Sequence, residues 1–326
     1  MLNKSRTTNP VWGILSGLSA AAIWGGMYVV SKVVMAVIPP FSLIVTRLAL
    51  GILTLAIIVV ARGVVPVRFA KQIARGGVAP VPGYHPESPA GRGKGWKVSR
   101  RQFWQIIGVG LVGYGISLGF QFVGTNLSTA ANGSLVTSAT PAFVLLFAAM
   151  LLAEKITLRR LLALGIATAG VVAVIDPRNA ALSPSFFWGN ICLVAAAVTW
   201  ALYSVLIRKV TRDTDVLTTT LIAFIGGLPV CLPLSGWEAL TQHFGTISLG
   251  VAGGILFLGI ISTALAMYLW NTAFAVLDAG VASLTFFAQP VIGTLLSVLF
   301  LNEHLTPLFV IGGVLIGIAL LVSSTA

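Results

Sequence analysis

The chain has 326 residues, 57% of them hydrophobic and only 9% charged, with a mean hydropathy of +0.99. Soluble domains carry about a quarter charged residues, so a water-soluble globule is excluded. The formal net charge of +12 does not point to nucleic acid: the basic residues stand in connections between apolar runs, and no basic stripe is interleaved with stacking aromatics.

Ten spans are predicted, over 12–35, 41–61, 103–123, 131–152 and 160–175, then 188–207, 216–234, 248–270, 280–300 and 307–323. Most are long enough to cross a hydrocarbon layer of about 30 Å as helices. Lys4 and Arg6 precede the first run as they would in a signal peptide. That run is far longer than a signal core, so it is expected to remain as the first span. Pro39-Pro40 separates the first two spans. The basic stretch from Arg62 to Arg101 is rich in Pro and Gly (GGVAPVPGYHPESPAGRGKG) and is expected to be irregular. It reads as a tolerated cytoplasmic insertion that reinforces topology more than as a lipid-binding patch. Thr157 is placed to N-cap the fifth span, and Thr306 the tenth, with Pro307 at its first helical position. Cys192 and Cys231 lie inside apolar runs without CxxC spacing and read as buried hydrophobes, so no metal site is expected.

Two stretches echo each other. Ser134, Pro141, Glu154 and Thr157 recur 149 residues later as Ser283, Pro290, Glu303 and Thr306. Trp24 and Lys32 recur at an offset of 176, as Trp200 and Arg208. The difference of 27 residues is net extra sequence in the first copy, and 62–101 is where it fits. The chain therefore divides into one repeat over 12–176 and a second over 188–323. Each copy holds five spans, an odd number, so the second enters the membrane upside down. Inverted repeats of this kind present two similar gates to one central site. With a cytoplasmic N-terminus, seventeen Lys and Arg fall inside and one, Arg178, outside. Both termini are thus expected inside.

The residues that carry the repeat also carry a family resemblance. Pro141…Glu154-Lys155-Ile156-Thr157…Gly165…Gly170 and Pro290…Glu303-His304-Leu305-Thr306 resemble the closing halves of two EamA domains, and Trp24-Gly25 and Arg47 fit the opening half. EamA domains define a large branch of the drug/metabolite transporter superfamily. The resemblance implies an all-α polytopic membrane protein of ten transmembrane helices in two inverted five-helix repeats, exporting or exchanging small metabolites without a bound cofactor. It also implies a central cavity lined by the first, third, fourth, sixth, eighth and ninth helices. The chain departs from the pattern in its 40-residue loop and in having no counterpart of Arg47 in the seventh span.

Several constellations are candidates for the substrate path. Trp24, Tyr28 and Lys32 form one helical stripe, an aromatic wall ending in a cation. Trp200 and Tyr203 recur in the sixth span. Lys32 reads equally as a snorkelling residue. Ser134, Thr137, Ser138 and Pro141 share a face of the fourth span, as do Ser283, Phe286, Phe287 and Pro290 in the ninth. Such Pro interruptions lie beside transport paths, although small polar residues also serve helix packing. Tyr114, Gln121, Trp270 and Asn271 are further cavity candidates from the third and eighth spans. Arg47 is embedded in the second span with no acid expected inside any span, and a structural role bonded to backbone carbonyls is preferred to contact with substrate or with a carboxylate at a helix end. Glu154 and Glu303, at helix ends, are likewise read as structural in preference to proton coupling.

Two motifs are set aside. Gly115-Ile116-Ser117-Leu118-Gly119 matches G-x-S-x-G but sits mid-span, where Gly115 and Gly119 read as a packing face. The phosphate-binding G-x-x-x-x-G-K-[ST] is absent, so any driving force must come from a gradient. With no nucleophile–base cluster, an enzyme is not expected. The leading expectation is a secondary transporter of a small organic metabolite such as an amino acid, in a bacterial inner membrane. Its partners are a small-molecule substrate and the lipid bilayer, with a homo-oligomer left open. The alternatives are a membrane scaffold or lipid-handling protein, or an exchanger of sugars or phosphorylated metabolites.

Overall fold

A computed structural model describes residues 10–61, 98–152, 158–175, 183–211 and 214–324. Glu154, Thr157, the segment 62–97 and the side chain of Phe287 lie outside the described residues. All the regular structure among the described residues is helical. Helices are labelled in chain order: α1 Pro10–Met35, α2 Pro40–Ala61, α3 Arg100–Leu127, α4 Ala130–Leu152, α5 Leu158–Ile175, α6 Pro184–Thr211, α7 Val216–Thr241, α8 Leu249–Val276, α9 Ala279–Leu301 and α10 Pro307–Ser324. Eight of these, α1 to α4 and α6 to α9, are long and apolar enough to cross a membrane. The protein is an integral membrane protein built of helices.

The span ends follow local chemistry. Thr306 Oγ1 accepts from the backbone N–H of Phe309 at the start of α10, and Ser99 forms a reciprocal capping box with Gln102 at the start of α3. The largest departure from the sequence expectation is α7, expected to stop at 234. It continues to Thr241 through Pro229 and Pro233. The extension brings Glu238 into a helix, only 2% exposed, where the sequence reading expects no embedded acid. Its two carboxylate oxygens accept the N–H groups of Phe41 (3.0 Å) and Ser42 (2.7 Å), capping α2. Pro40 occupies the first helical position and has no N–H to satisfy.

Glu303 does the same for α4. Its oxygens accept from Ala130 N (2.8 Å) and Ala131 N (2.9 Å), while Thr129 Oγ1 accepts from Asn132 N at 3.0 Å. The first three donors of α4, which no intrahelical partner can reach, are all satisfied. The chain turns into Glu303 through Asn302, whose φ is 52°, a left-handed conformation that Asn tolerates.

Helices pair across the two halves of the chain. α1 packs on α8 and α9, α6 on α3 and α4, α2 on α7 and α8, α7 on α3, α4 on α9, and α5 on α10. Two of these approaches require glycine. A Cβ on Gly25 would lie 2.8 Å from the Gln289 carbonyl oxygen and 2.9 Å from Gly293 N, so Gly25 lets α1 lie directly on the backbone of α9. A Cβ on Gly110 would fall 2.0 Å from the Ala223 carbonyl oxygen, where α3 meets α7. Gly115, from the motif set aside, also faces α7, at Val230 and Gly227, whereas Gly119 faces Phe41.

Both α3 and α8 carry π-helical turns at mid-length, Leu111–Ser117 and Phe257–Leu265. The ninth helix tightens into a 3-10 turn at Thr285–Phe287, and α4 breaks at 138–139 just before Pro141. All four irregularities lie on helices that meet at the centre of the bundle.

Candidate functional site

The centre is an aromatic cluster. Trp24 of α1 meets Trp200 of α6 edge-on, with ring centroids 5.5 Å apart, and contacts Trp270 at 5.3 Å and Phe286 at 5.8 Å. Trp200 in turn stacks on Tyr203 at 4.6 Å, which contacts Tyr114 at 5.1 Å. Such pairs hold ring orientation as well as burying area.

A small cavity of about 20 Å³, room for about one water molecule, lies against this cluster. It is lined by Trp24 and Met27 of α1, Ser117, Leu118 and Gln121 of α3, Thr137 and Thr140 of α4, Ala196 and Trp200 of α6, Met267 of α8, and Phe286 and Gln289 of α9. These are the six helices that the resemblance implies. No lining side chain is charged.

Hydrogen bonds fix the polar part of the wall. Gln121 Nε2 donates to Tyr28 Oη, and Tyr28 Oη to Thr137 Oγ1 at 2.7 Å. Gln289 Nε2 reaches the same Thr137 oxygen (2.8 Å) and the Ser134 carbonyl (3.1 Å). One chain of bonds thus joins α3, α1, α4 and α9. A second joins α3, α6, α8 and α7: the Tyr114 and Tyr203 hydroxyls are bonded, Tyr203 Oη donates to Asn271 Oδ1 (2.9 Å), and Asn271 Nδ2 to Thr220 Oγ1 (2.9 Å).

Of the residues singled out in the sequence, Trp24, Gln121, Thr137, Trp200 and Phe286 line the cavity. Tyr28, Tyr114, Tyr203, Trp270 and Asn271 stand one layer behind, buried and bonded, with Trp270 Nε1 donating to Ser204 Oγ at 3.3 Å. Ser134 packs where a Cβ on Gly293 would clash with it, and Ser283 Oγ bonds the Gly280 carbonyl, so both serve helix contact and local backbone. Ser138 and Pro290 line a separate apolar groove of about 600 Å³ between α4, α9 and α10. Pro141 is buried at the start of the second half of α4.

The two embedded cations are not at the cavity wall. Lys32 Nζ donates to the carbonyls of Thr125 (3.0 Å), Asn126 (2.8 Å) and Ser128 (2.6 Å), closing the C-terminal end of α3. All three of its donors are used, and a cation at this end also suits the helix dipole. Arg47 is wholly buried. In place of the expected backbone carbonyls it bonds hydroxyls, Thr263 Oγ1 from Nε (2.7 Å) and Ser262 Oγ from Nη2 (3.3 Å), and touches Met27 Sδ at 3.4 Å. Its guanidinium also lies 4.9 Å from the centre of the Phe122 ring. Among the described residues it has no ion-pair partner.

The sequence reading missed Met27, Ser117, Leu118, Thr140, Ala196, Met267 and Gln289, and for two of them, Gln289 and Thr140, it could have done better. A signal was present: they are related by the same 149-residue offset as the prolines that follow them.

The model of the EamA-like transporter family matches residues 11–175 and again 187–325. "Uncharacterized transporter YyaM" of Bacillus subtilis is 27% identical over 69% of this chain and 74% of its own length. "Aromatic amino acid exporter YddG" of Ancylobacter novellus is 28% identical over 64% of this chain and 71% of its own. One crystal structure, 21% identical, shares the fold with a TM-score of 0.62 over 98% of each chain. With two family matches spanning nearly all of a helical membrane protein whose irregular helices meet at a central cavity, this chain belongs to the EamA-like transporter family of the drug/metabolite transporter superfamily.

Proposed function

We propose that the chain is a secondary transporter that moves a small organic metabolite, such as an amino acid, by alternating access. The observation that carries the reading is the small central cavity at the meeting of α1, α3, α4, α6, α8 and α9, walled by the repeat-matched Trp24 and Trp200. The helix pairings support two inverted five-helix repeats: exchanging α1–α5 with α6–α10 leaves the pattern of partners unchanged. The two π-helical segments fall on the exchanged pair α3 and α8. On this reading the chain crosses a bacterial inner membrane ten times with both termini inside, and the Glu303 cap closes its outer end. Lys32 and Arg47 act structurally, at a helix end and between α2 and α8.

An amino-acid substrate is also supported by the name of the Ancylobacter relative. The cavity as it stands is too small for one, so rocking of the two halves must enlarge it. The alternative, a lipid-handling protein without solute turnover, draws on the apolar groove between α4, α9 and α10. Counterflow into liposomes containing the purified chain separates the two. Exchange of a labelled amino acid supports the transporter; no exchange of amino acids, sugars or phosphorylated metabolites by folded protein refutes it.

A further inference from the structure

Among the fully buried side-chain atoms of the cavity-lining residues, one donor and one acceptor have no protein partner: Trp200 Nε1–H and Gln289 Oε1. Both belong to buried side chains, Trp200 being 7% and Gln289 0% exposed. Buried polar atoms without partners are uncommon in native proteins and call for an explanation.

Neither is loosely held. The Gln289 amide is oriented by its nitrogen, which faces the Ser134 carbonyl and therefore must be the donor, leaving Oε1 as a fixed acceptor. The Trp200 ring is clamped by its stack on Tyr203 and its edge contact with Trp24. The repeat-matched Trp24 shows what a satisfied indole looks like here, since its Nε1 donates to the Ser262 carbonyl at 3.0 Å. The two tryptophans occupy equivalent places, yet only Trp200 keeps its donor free.

We infer that Trp200 Nε1–H and Gln289 Oε1 are the two polar contacts of the transported molecule. The inference rests on the transporter reading above and deepens it. The substrate then carries an acceptor and a donor in one compact head with no net charge, because the wall offers no charged side chain to balance one. A zwitterionic amino-acid head has this complement once the cavity has opened, its carboxylate accepting from Trp200 and its ammonium donating to Gln289. The rest of the molecule meets Met27, Met267 and Phe286 and is apolar.

The test uses the full chain in liposomes, with labelled L-phenylalanine counterflow competed by phenethylamine (donor only, cationic) and 3-phenylpropionate (acceptor only, anionic). Each analogue is expected to compete at least about tenfold more weakly than L-phenylalanine. Trp200→Phe keeps a ring but removes the donor. It should weaken L-phenylalanine about tenfold and leave phenethylamine unchanged, collapsing the preference between them. Trp24→Phe, whose donor is already occupied, should alter rate without altering that preference.

The inference is overturned if Trp200→Phe retains the wild-type preference, if both variants lose it equally, or if wild type accepts either analogue as readily as L-phenylalanine. It is also overturned if only charged solutes such as glutamate, lysine or glucose 6-phosphate exchange. Those results leave the transporter reading standing. Only the absence of exchange for every solute tried, including L-leucine and L-glutamine, removes that reading as well.

Discussion

Removal of the Glu303 carboxylate should unfasten the start of α4. The carboxylate accepts two backbone N–H groups, at 2.8 and 2.9 Å, on the first two residues of that helix. Hydrogen bonds to charged groups contribute about 1.5–3 kcal/mol each, so two such bonds set an upper range of about 3–6 kcal/mol. Glu303 is half-buried, and water can partly replace it, which lowers the expected loss for Glu303→Ala to about 2–4 kcal/mol. Glu303→Gln keeps one acceptor oxygen but turns an NH₂ toward an N–H, and should cost about 1–2 kcal/mol. Denaturant titration in mixed micelles gives the free energies, and hydrogen exchange of a peptide covering residues 128–134 reports the Ala130 and Ala131 amides directly. The expected order of stability is wild type, then Gln, then Ala, with faster exchange in both variants. Unchanged exchange at these amides, or variants within about 0.5 kcal/mol of wild type, would refute the capping argument.

Further outcomes follow from the same contacts. Trp24→Ala removes the ring that meets Trp200, Trp270 and Phe286 and should abolish counterflow while expression stays normal; unchanged flux would remove α1 from the substrate wall. Lys32→Met deletes three bonds to carbonyls at the end of α3 and should lower stability by about 2–4 kcal/mol, without changing preference between neutral and charged solutes. A changed preference in uptake assays would instead place Lys32 at the substrate. Gly110→Ala pushes a methyl into the backbone of α7 and should cost about 1–3 kcal/mol by denaturation. Gly108→Ala, two residues earlier with nothing within 4 Å, is the control and should be neutral or slightly stabilising.

Much of this architecture is legible without coordinates, because the free energy of placing a helix in lipid is nearly a sum over its own residues. Eight of the predicted spans overlie helices long and apolar enough to cross a membrane, α1 to α4 and α6 to α9, and differ from them only at their ends. Before and within 234–241, Pro229, Pro233 and the small Ser235 and Gly236 mimic a stop, yet Glu238 gains buried partners by staying helical. Thr306 before Pro307 is equally readable, since a cap bonds a donor three residues away. Part of the cavity is legible for another reason. Large aromatics repeated at matched positions, Trp24 and Trp200, are costly to duplicate by chance.

What the sequence by itself determined is the set of helices, their membrane setting and the repeated landmarks, all properties of neighbouring residues or of composition. Tertiary structure alone decided the partners. Glu303 reaches α4 across 172 residues of chain, Lys32 reaches the end of α3, and Arg47 finds hydroxyls on α8 where carbonyls were expected. The free Trp200 donor and Gln289 acceptor are likewise invisible in the sequence, because whether a polar atom is satisfied depends on which helix lies opposite it. Hydropathy is local and additive, whereas hydrogen-bond satisfaction is a property of pairs, and pairs exist only once the helices have packed.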